Sequence, residues 1–171
     1  GTAVTDESLT QLKGLTFHHI NLGGTKITDA GLAHLKAIPS LNFLYLRGLK
    51  VTDQGLAHIK GLPKVVILDI SRTAVTDAGF AHLAGMTTLR HLFLDSTKVT
   101  DAGLVHLKGL SELQWLYLDG TGVTDAGLAH LKGLTKLEML TVSDTKVTDA
   151  GLAHLKGMSL LNNLNLAKTQ V

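Results

Sequence analysis

Hydrophobic positions recur along this chain with a fixed period of about 24 residues. Segments close to VTDAGLAHLKGL begin at residues 4, 27, 51, 75, 99, 123 and 147, so successive starts lie 23 and then five times 24 residues apart. Each segment is followed by the pattern L-x-x-L-x-L-x-x-T-x-V or a close variant, and residues 113–123 match it fully. The chain is therefore a tandem array of about seven units, and one structural unit per repeat is expected.

Each repeat contains one predicted strand and one predicted short helix. Alternating leucines in L-x-L predict a strand that pairs in parallel with the same segment of the next repeat. The Thr-Asp pair that follows, as in Thr28 and Asp29, predicts a helix start in which the Asp carboxylate accepts from free backbone amides of the first turn. We expect a helix of about two turns with Leu32, Leu35 and Ile38 on its apolar side.

Two columns of glycine flank and interrupt the predicted helix. Glycines such as Gly109 and Gly133 stand at its end, where a left-handed cap is expected. Gly31, Gly103 and their equivalents lie inside the helix, where glycine costs up to about 1 kcal/mol relative to alanine. We interpret the inner column as a packing device that lets adjacent helices approach closely.

The repeat resembles the leucine-rich repeat family, L-x-x-L-x-L-x-x-[N/C]-x-L, across essentially the whole chain. It is most similar to the bacterial V-T-D-A-G-L type, and it is similar also to the cysteine-containing repeats of F-box adaptor proteins. The resemblance implies an α/β fold, a right-handed solenoid with a parallel sheet on the concave side and short helices on the convex side. We interpret residues 1–171 as one leucine-rich-repeat domain.

One slot departs from the family pattern. Where the family has Asn or Cys, which tie successive loops together, this chain has Thr25, Thr73, Thr97, Thr121, Thr145 and Thr169, with Leu49 in the second repeat. A hydroxyl offers one donor where an asparagine amide offers two. We therefore expect a thinner ladder of hydrogen bonds between loops.

Positions 3, 5 and 7 of the strand pattern vary between repeats and are expected to face the concave side. The chain has seven Phe, Trp and Tyr residues, and five of them fall in the 14 slots of positions 3 and 5. Chance would place about 0.6 there, and strand propensity raises that expectation only to about 2. The predicted partner-binding residues are Phe43, Tyr45, Arg47, Asp69, Arg72, His91, Phe93, Asp95, Trp115, Tyr117 and Asp119.

These residues predict two aromatic clusters, one on the second strand and one on the fourth and fifth strands, rimmed by charged side chains. Large rigid rings bury much area at little entropic cost, as a binding surface requires. The alternative is that the rings cover one another and bind nothing.

Asp95 and Asp119 occupy the same slot of adjacent repeats, with Asp144 diagonally beside them. Like charges so placed repel. They are suited to a basic group of a partner or to a metal cation, or they are solvated and point apart. A cation such as Ca²⁺ prefers six or more oxygen ligands, and few others converge here.

Composition excludes several classes of function. A net charge of +2 gives no reason to expect nucleic acid or an anionic membrane as partner. No apolar run approaches the ~18 residues of a spanning helix, and the absence of cysteine excludes disulfides and thiolate metal ligands. We predict no cofactor and no metal site. We also predict no enzymatic activity, because Ser71 and His91 should lie about 13 Å apart along the sheet, whereas proton transfer needs about 3 Å.

The predicted function is a protein- or peptide-binding module that uses the concave sheet face. A structural spacer or self-associating array, and cation binding at the acidic patch, are the alternatives. The chain starts at Gly1–Val4 and stops at Lys168–Val171 within the repeat pattern, without a polar cap at either end. We therefore expect a part of a longer protein or an engineered array, and end-to-end association through the uncapped termini.

Overall fold

The computed structural model describes residues 4–171 as one stack of repeats; the Gly1–Ala3 segment of the predicted uncapped start lies outside the described residues. Seven strands form one parallel sheet in chain order, each next to its sequence neighbour. The strands are β1 His19–Asn21, β2 Phe43–Tyr45, β3 Ile67–Asp69, β4 His91–Phe93, β5 Trp115–Tyr117, β6 Met139–Thr141 and β7 Asn163–Asn165. This is the predicted parallel sheet of a leucine-rich-repeat solenoid.

Equal repeat length keeps the strands in register. His19 pairs with Phe43, Phe43 with Ile67, and Ile67 with His91, so each slot of the pattern forms a row that crosses the sheet. The central residue of each internal strand points into the core; Leu44, Leu68 and the equivalent leucines are fully buried. The core fills the space between the sheet and the helices along the stack, from Leu9 to Met158.

A short helix follows each variable segment, on the other side of the core from the exposed sheet face. The helices are α1 Asp6–Thr10, α2 Asp29–Leu32, α3 Asp53–Ile59, α4 Asp77–Phe80, α5 Asp101–Leu104, α6 Asp125–Ala129 and α7 Asp149–Leu152. Segments of 3₁₀ helix continue four of them: Ala33–Ala37, Val105–Gly109, His130–Gly133 and Ala153–Leu155. No helix within residues 4–171 has both the length and the apolar character that crossing a membrane requires.

The helix cap differs from the sequence prediction. In α3 to α7 the threonine is the N-cap, because its Oγ accepts from the N–H two residues ahead, as Thr100 does from Ala102 at 3.4 Å. The aspartate that follows is the first helical residue, and its carboxylate bonds to the next repeat. The predicted aspartate cap was wrong, because a stacked neighbour offers the carboxylate two donors at once.

Aspartate and threonine form a ladder between successive repeats. Asp77 Oδ1 accepts from the Thr100 N–H at 2.7 Å, and Asp77 Oδ2 accepts from the Thr100 hydroxyl at 2.6 Å. The same two bonds join Asp6–Thr28, Asp29–Thr52, Asp53–Thr76, Asp101–Thr124 and Asp125–Thr148. The bonds from the Thr148 N–H and hydroxyl hold the pKa of Asp125 below its ordinary value. The Asp125 carboxylate therefore remains charged and bonded to the next repeat.

The inner glycine column makes room for this ladder. A Cβ on Gly103 would lie 2.6 Å from Asp77 Oδ1, and one on Gly79 would lie 2.5 Å from Asp53 Oδ1. The interpretation of the inner glycines as a packing device is confirmed, and the group that they make room for is the aspartate of the preceding repeat. The outer column differs from the prediction, since Gly109 and Gly133 simply end 3₁₀ segments, while Gly61 has the left-handed φ of 84°.

The threonine slot of the loop does not link repeats. Thr97 Oγ1 donates to the Leu94 carbonyl at 2.7 Å, three residues back in the same repeat, and the equivalent threonines do the same. These bonds close the turn that follows each strand. The connection between repeats that the family makes at this slot is made here by the aspartate–threonine ladder.

Candidate binding face

Three rows of side chains define the concave face, on the side of the sheet away from the core. The first row is His19, Phe43, Ile67, His91, Trp115, Met139 and Asn163; the second is Asn21, Tyr45, Asp69, Phe93, Tyr117, Thr141 and Asn165; the third is Gly23, Arg47, Ser71, Asp95, Asp119, Ser143 and Ala167. The first two rows alternate with buried leucines along β2 to β6, as the period of two requires. All five aromatic residues of these rows are half-buried.

The predicted pair of aromatic clusters is present. The first cluster consists of His19, Phe43 and Tyr45, with the His19 ring edge-on to Tyr45 at 5.2 Å between centroids and to Phe43 at 6.3 Å. Residue His19 was not among the predicted site residues, although its slot in the first row could have indicated it. The first cluster therefore spans the neighbouring strands β1 and β2.

The second cluster consists of His91, Phe93, Trp115 and Tyr117 on β4 and β5. The imidazole of His91 stacks on the indole of Trp115 with 4.0 Å between centroids and 6° between planes. Phe93 and Tyr117 lie 4.6 Å apart and are tilted by 31°. The in-register pairing of β4 with β5 sets both contacts, because it places His91 opposite Trp115 and Phe93 opposite Tyr117.

Burial on this face affects two titratable groups of the second cluster. Burial lowers the pKa of His91 below 6.5, against an opposing hydrogen bond from Gln114. Burial, with a smaller effect from the charges of Asp95 and Asp119, raises the pKa of Tyr117 above 10.0. Tyr117 donates its hydroxyl proton to Met139 Sδ at 2.8 Å. At neutral pH the cluster therefore presents a neutral imidazole and a neutral phenol.

Ile67 and Asp69 separate the two clusters, as predicted, but Asp69 is not a rim charge. Its side chain is buried, with 8% of the residue exposed, and Asp69 Oδ1 accepts from the Ser71 N–H at 2.9 Å. Tyr45 and Phe93 occupy the neighbouring slots of its row on either side. The prediction of Asp69 as a rim charge was wrong, because its neighbours in the second row are the large side chains of Tyr45 and Phe93.

Asp95 and Asp119 stand in adjacent slots of the third row and bond to the backbone. Asp95 Oδ1 accepts from the Asp119 N–H at 3.2 Å, and Asp119 Oδ1 accepts from the Ser143 N–H at 2.7 Å. Burial raises the pKa of Asp95; the Asp119 N–H opposes this shift and the Asp119 charge adds to it. One oxygen of each carboxylate thus accepts a hydrogen bond from the backbone of the next repeat, just beyond the end of the strand.

The two predicted arginines lie beside the first cluster. Arg47 Nη1 is 4.0 Å from Asp95 Oδ2, a weak ion pair across the third row. Arg72 is exposed and follows Ser71 in the left-handed conformation, with φ of 56°. Both arginines line an open depression of about 420 Å³ together with Tyr45 and Asp69.

The cation alternative lacks ligands in this geometry. Within residues 4–171, no three His, Asp or Glu side chains come together closely enough to hold a metal ion. Asp144, the expected third carboxylate, is exposed in a left-handed turn.

Ser71 and His91, the residues considered for nucleophilic catalysis, are not joined by a hydrogen bond in the described part of the chain. Ser71 Oγ is buried without a hydrogen-bond partner, and His91 stacks on Trp115 instead of facing it.

Comparisons with known proteins agree on the architecture. No protein-family model matches the sequence, and no curated protein matches it. An internalin (inlF) from Listeria monocytogenes superposes with a TM-score of 0.77 at 23% identity, over 94% of this chain and 50% of its own. An internalin C2 (inlC2) from the same species gives a TM-score of 0.63 at 26% identity, over 98% of this chain and 76% of its own.

The chain therefore spans half the length of the first internalin and about three quarters of the second. Both likenesses extend over nearly all of the seven repeats. Together with the repeat pattern, the parallel sheet and the outer helices, they show that this chain has the solenoid fold of leucine-rich-repeat proteins.

Proposed function

We propose that this chain is a protein-interaction module that binds a peptide or protein segment on its concave face. The observation that carries the proposal is the concentration of aromatic rings there. Five of the seven Phe, Trp and Tyr residues lie in its first two rows, half-buried and in contact across neighbouring strands. Rings held in this way lose little conformational entropy when a partner covers them.

The remaining predicted site residues fit the same role. Arg47, Arg72, Asp95 and Asp119 surround the aromatic clusters with charges of both signs, which set the register of a partner more than they add affinity. The internalins share the fold, and fold alone does not fix a ligand. The proposal therefore depends on the side chains of the three rows.

The test is the double variant Trp115→Ala with Tyr117→Ala. Both proteins are used to select binders from a displayed library of random peptides. We expect wild type to enrich a family of peptides and the variant to enrich none of that family, since the largest rings of the second cluster are gone. The variant should still melt cooperatively, because the leucine core beneath both rings is unchanged.

A matched control removes apolar surface outside the concave face. Leu15 and Val105 are 52% and 46% exposed, and Leu15→Ala with Val105→Ala should leave the selection unchanged. If wild type enriches nothing, or if the Trp115 and Tyr117 double variant enriches the same peptides, the concave face is not a binding site and the spacer alternative gains support.

A further inference from the structure

The concave face has a charge opposite to that of the whole chain. The chain has a net charge of +2, whereas the three rows contain three aspartates and one arginine and so have a net charge of −2. Two of the aspartates, Asp95 and Asp119, lie side by side next to the second aromatic cluster. A partner that covers these rows meets a negative surface on a slightly positive protein, which favours a basic segment.

The carboxylates of Asp95 and Asp119 are close enough to the second aromatic cluster that both could contact one side chain of a partner. Asp95 is two residues beyond Phe93, and Asp119 is two residues beyond Tyr117, a distance of about 7 Å along the strand. Phe93 and Tyr117 are themselves 4.6 Å apart. An ammonium or guanidinium group placed over the Tyr117 ring is therefore within reach of both carboxylates, which combines a cation–π contact with ion pairing.

Each carboxylate keeps an oxygen free for such a group. The Oδ1 atoms accept backbone N–H groups. Asp95 Oδ2 has only the distant Arg47 guanidinium at 4.0 Å, and within residues 4–171 Asp119 Oδ2 has no hydrogen-bond partner. Burial is the main cause of the raised pKa of Tyr117, and the charges of these two aspartates add to it, as a negative potential over its ring would.

A further polar atom lies on the same row. Thr141 follows Tyr117 in the second row, is only 6% exposed, and its Oγ1 has no hydrogen-bond partner. A buried hydroxyl without a partner is costly, and a bound donor reduces that cost. This atom is independent of the two carboxylates and belongs to the same part of the face.

We propose that Phe93, Tyr117, Asp95 and Asp119 form a subsite for a lysine or arginine side chain of an extended peptide segment. The neighbouring Trp115 and His91 then contact an apolar side chain of the same segment, because they lie in the adjacent first row. This inference rests on the proposed function and gives the partner its chemistry. Metal ions fit the subsite poorly, since the two aspartates provide too few oxygen ligands.

The experiment uses the same displayed random-peptide library with two charge-matched variants. Asp95→Asn with Asp119→Asn keeps an oxygen to accept each backbone N–H but removes both charges. Glu7→Gln with Asp149→Asn removes two exposed charges from α1 and α7, outside the concave rows. A synthetic copy of the most enriched wild-type peptide is then titrated against each protein, with Trp115 emission as the signal.

Wild type should enrich Lys or Arg next to apolar residues. The Asp95 and Asp119 double variant should lose the basic preference while keeping the apolar one, and it should bind the basic peptide roughly tenfold more weakly. The control variant should match wild type. Should the double variant lose folding as judged by circular dichroism, Asp119→Asn alone provides the measurement.

The two levels of the proposal fail differently. Enriched peptides without Lys or Arg, or an equal loss of affinity in the control variant, overturn the basic subsite and leave the concave face as a binding surface. Enrichment of no peptide by wild type overturns both.

Discussion

At the scale of single residues, the threonine hydroxyl before each of the helices α3 to α7 has two roles. Thr100 Oγ1 donates to Asp77 Oδ2 at 2.6 Å and accepts from the Ala102 N–H at 3.4 Å. A hydroxyl can do both, because it has one donor and two acceptor positions. One side chain therefore starts its own helix and joins it to the preceding repeat, and the two functions depend on the same atom.

The stacked pair of His91 and Trp115 should make the fluorescence of Trp115 depend on pH. Trp115 is the sole tryptophan, and burial lowers the pKa of His91 below 6.5. Because protonated imidazole quenches indole emission at contact distance, we expect Trp115 fluorescence to fall on acidification with a midpoint below pH 6.5. The neutral imidazole is favoured in the fold, so any contribution of His91 to stability is lost as pH falls below 6.5.

A fluorescence titration from pH 8 to pH 4 checks this expectation. The variant His91→Gln, which keeps a planar polar side chain, should remove the transition. A midpoint at or above 6.5, or an unchanged transition in the variant, would contradict the stacked and desolvated imidazole.

At the scale of elements, neither strands nor helices are stable alone. The strands have three residues and the α-helices four to seven, well below the ~12 residues at which an isolated helix becomes marginal. Their stability comes from the neighbouring repeat through the buried leucines, the in-register sheet and the aspartate–threonine ladder. The inner glycine column is needed because these helices pack with a carboxylate between them.

Gly103→Ala tests that contact. Alanine is the better helix former by about 1 kcal/mol, yet its Cβ would lie 2.6 Å from Asp77 Oδ1. We expect a net loss of about 2 kcal/mol in the free energy of unfolding, as the ladder bonds of Asp77 are strained or broken. Urea denaturation measures the change.

Gly133→Ala is the matched control for this substitution. A Cβ at Gly133 meets nothing within 4 Å, so the change should be neutral or slightly stabilising. Equal effects at the two glycines would show that the ladder does not depend on the small residue.

At the scale of the whole molecule, stability is shared between neighbouring repeats. Each unit contacts the one before and the one after, so the stack behaves as a nearly one-dimensional array. The concave face follows from this arrangement, because rows of side chains exist only when the strands stack in register. Its two aromatic clusters are separated by the single repeat that contains Ile67 and Asp69.

Deletion of residues 51–74 tests the array. The deletion joins residue 50 to residue 75, and it places Asp29 opposite Thr76 with Gly79 above the carboxylate, so every ladder contact is reproduced. We expect a folded protein with a lower melting temperature, by about 2–4 °C for each kcal/mol lost. Circular dichroism gives both the fold and the midpoint.

Deletion of residues 51–62 is the control, because it removes half a repeat and puts the leucine pattern out of phase. That variant should fail to melt cooperatively. Loss of folding in the 24-residue deletion as well would show that the stack is not built from interchangeable units.

Much of the fold and part of the site could be predicted from repeat length and alternation. A constant period of about 24 residues places equivalent residues side by side, so the rows and both aromatic clusters follow from counting. The prediction of an aspartate cap failed because the contact that decides it is distant in sequence. The partner of Asp77 is Thr100, 23 residues away, and a preference for capping describes only residues close in sequence.

The sequence by itself determined the number of repeats, the parallel sheet, the side of the core and the rings that face outward, because all of these depend on periodicity. Tertiary structure decided which donors each carboxylate meets, that Asp69 is buried while Asp95 and Asp119 keep one oxygen free, and that His91 lies flat on Trp115. Those features depend on the distances and side-chain orientations between stacked repeats, which a periodic pattern does not specify.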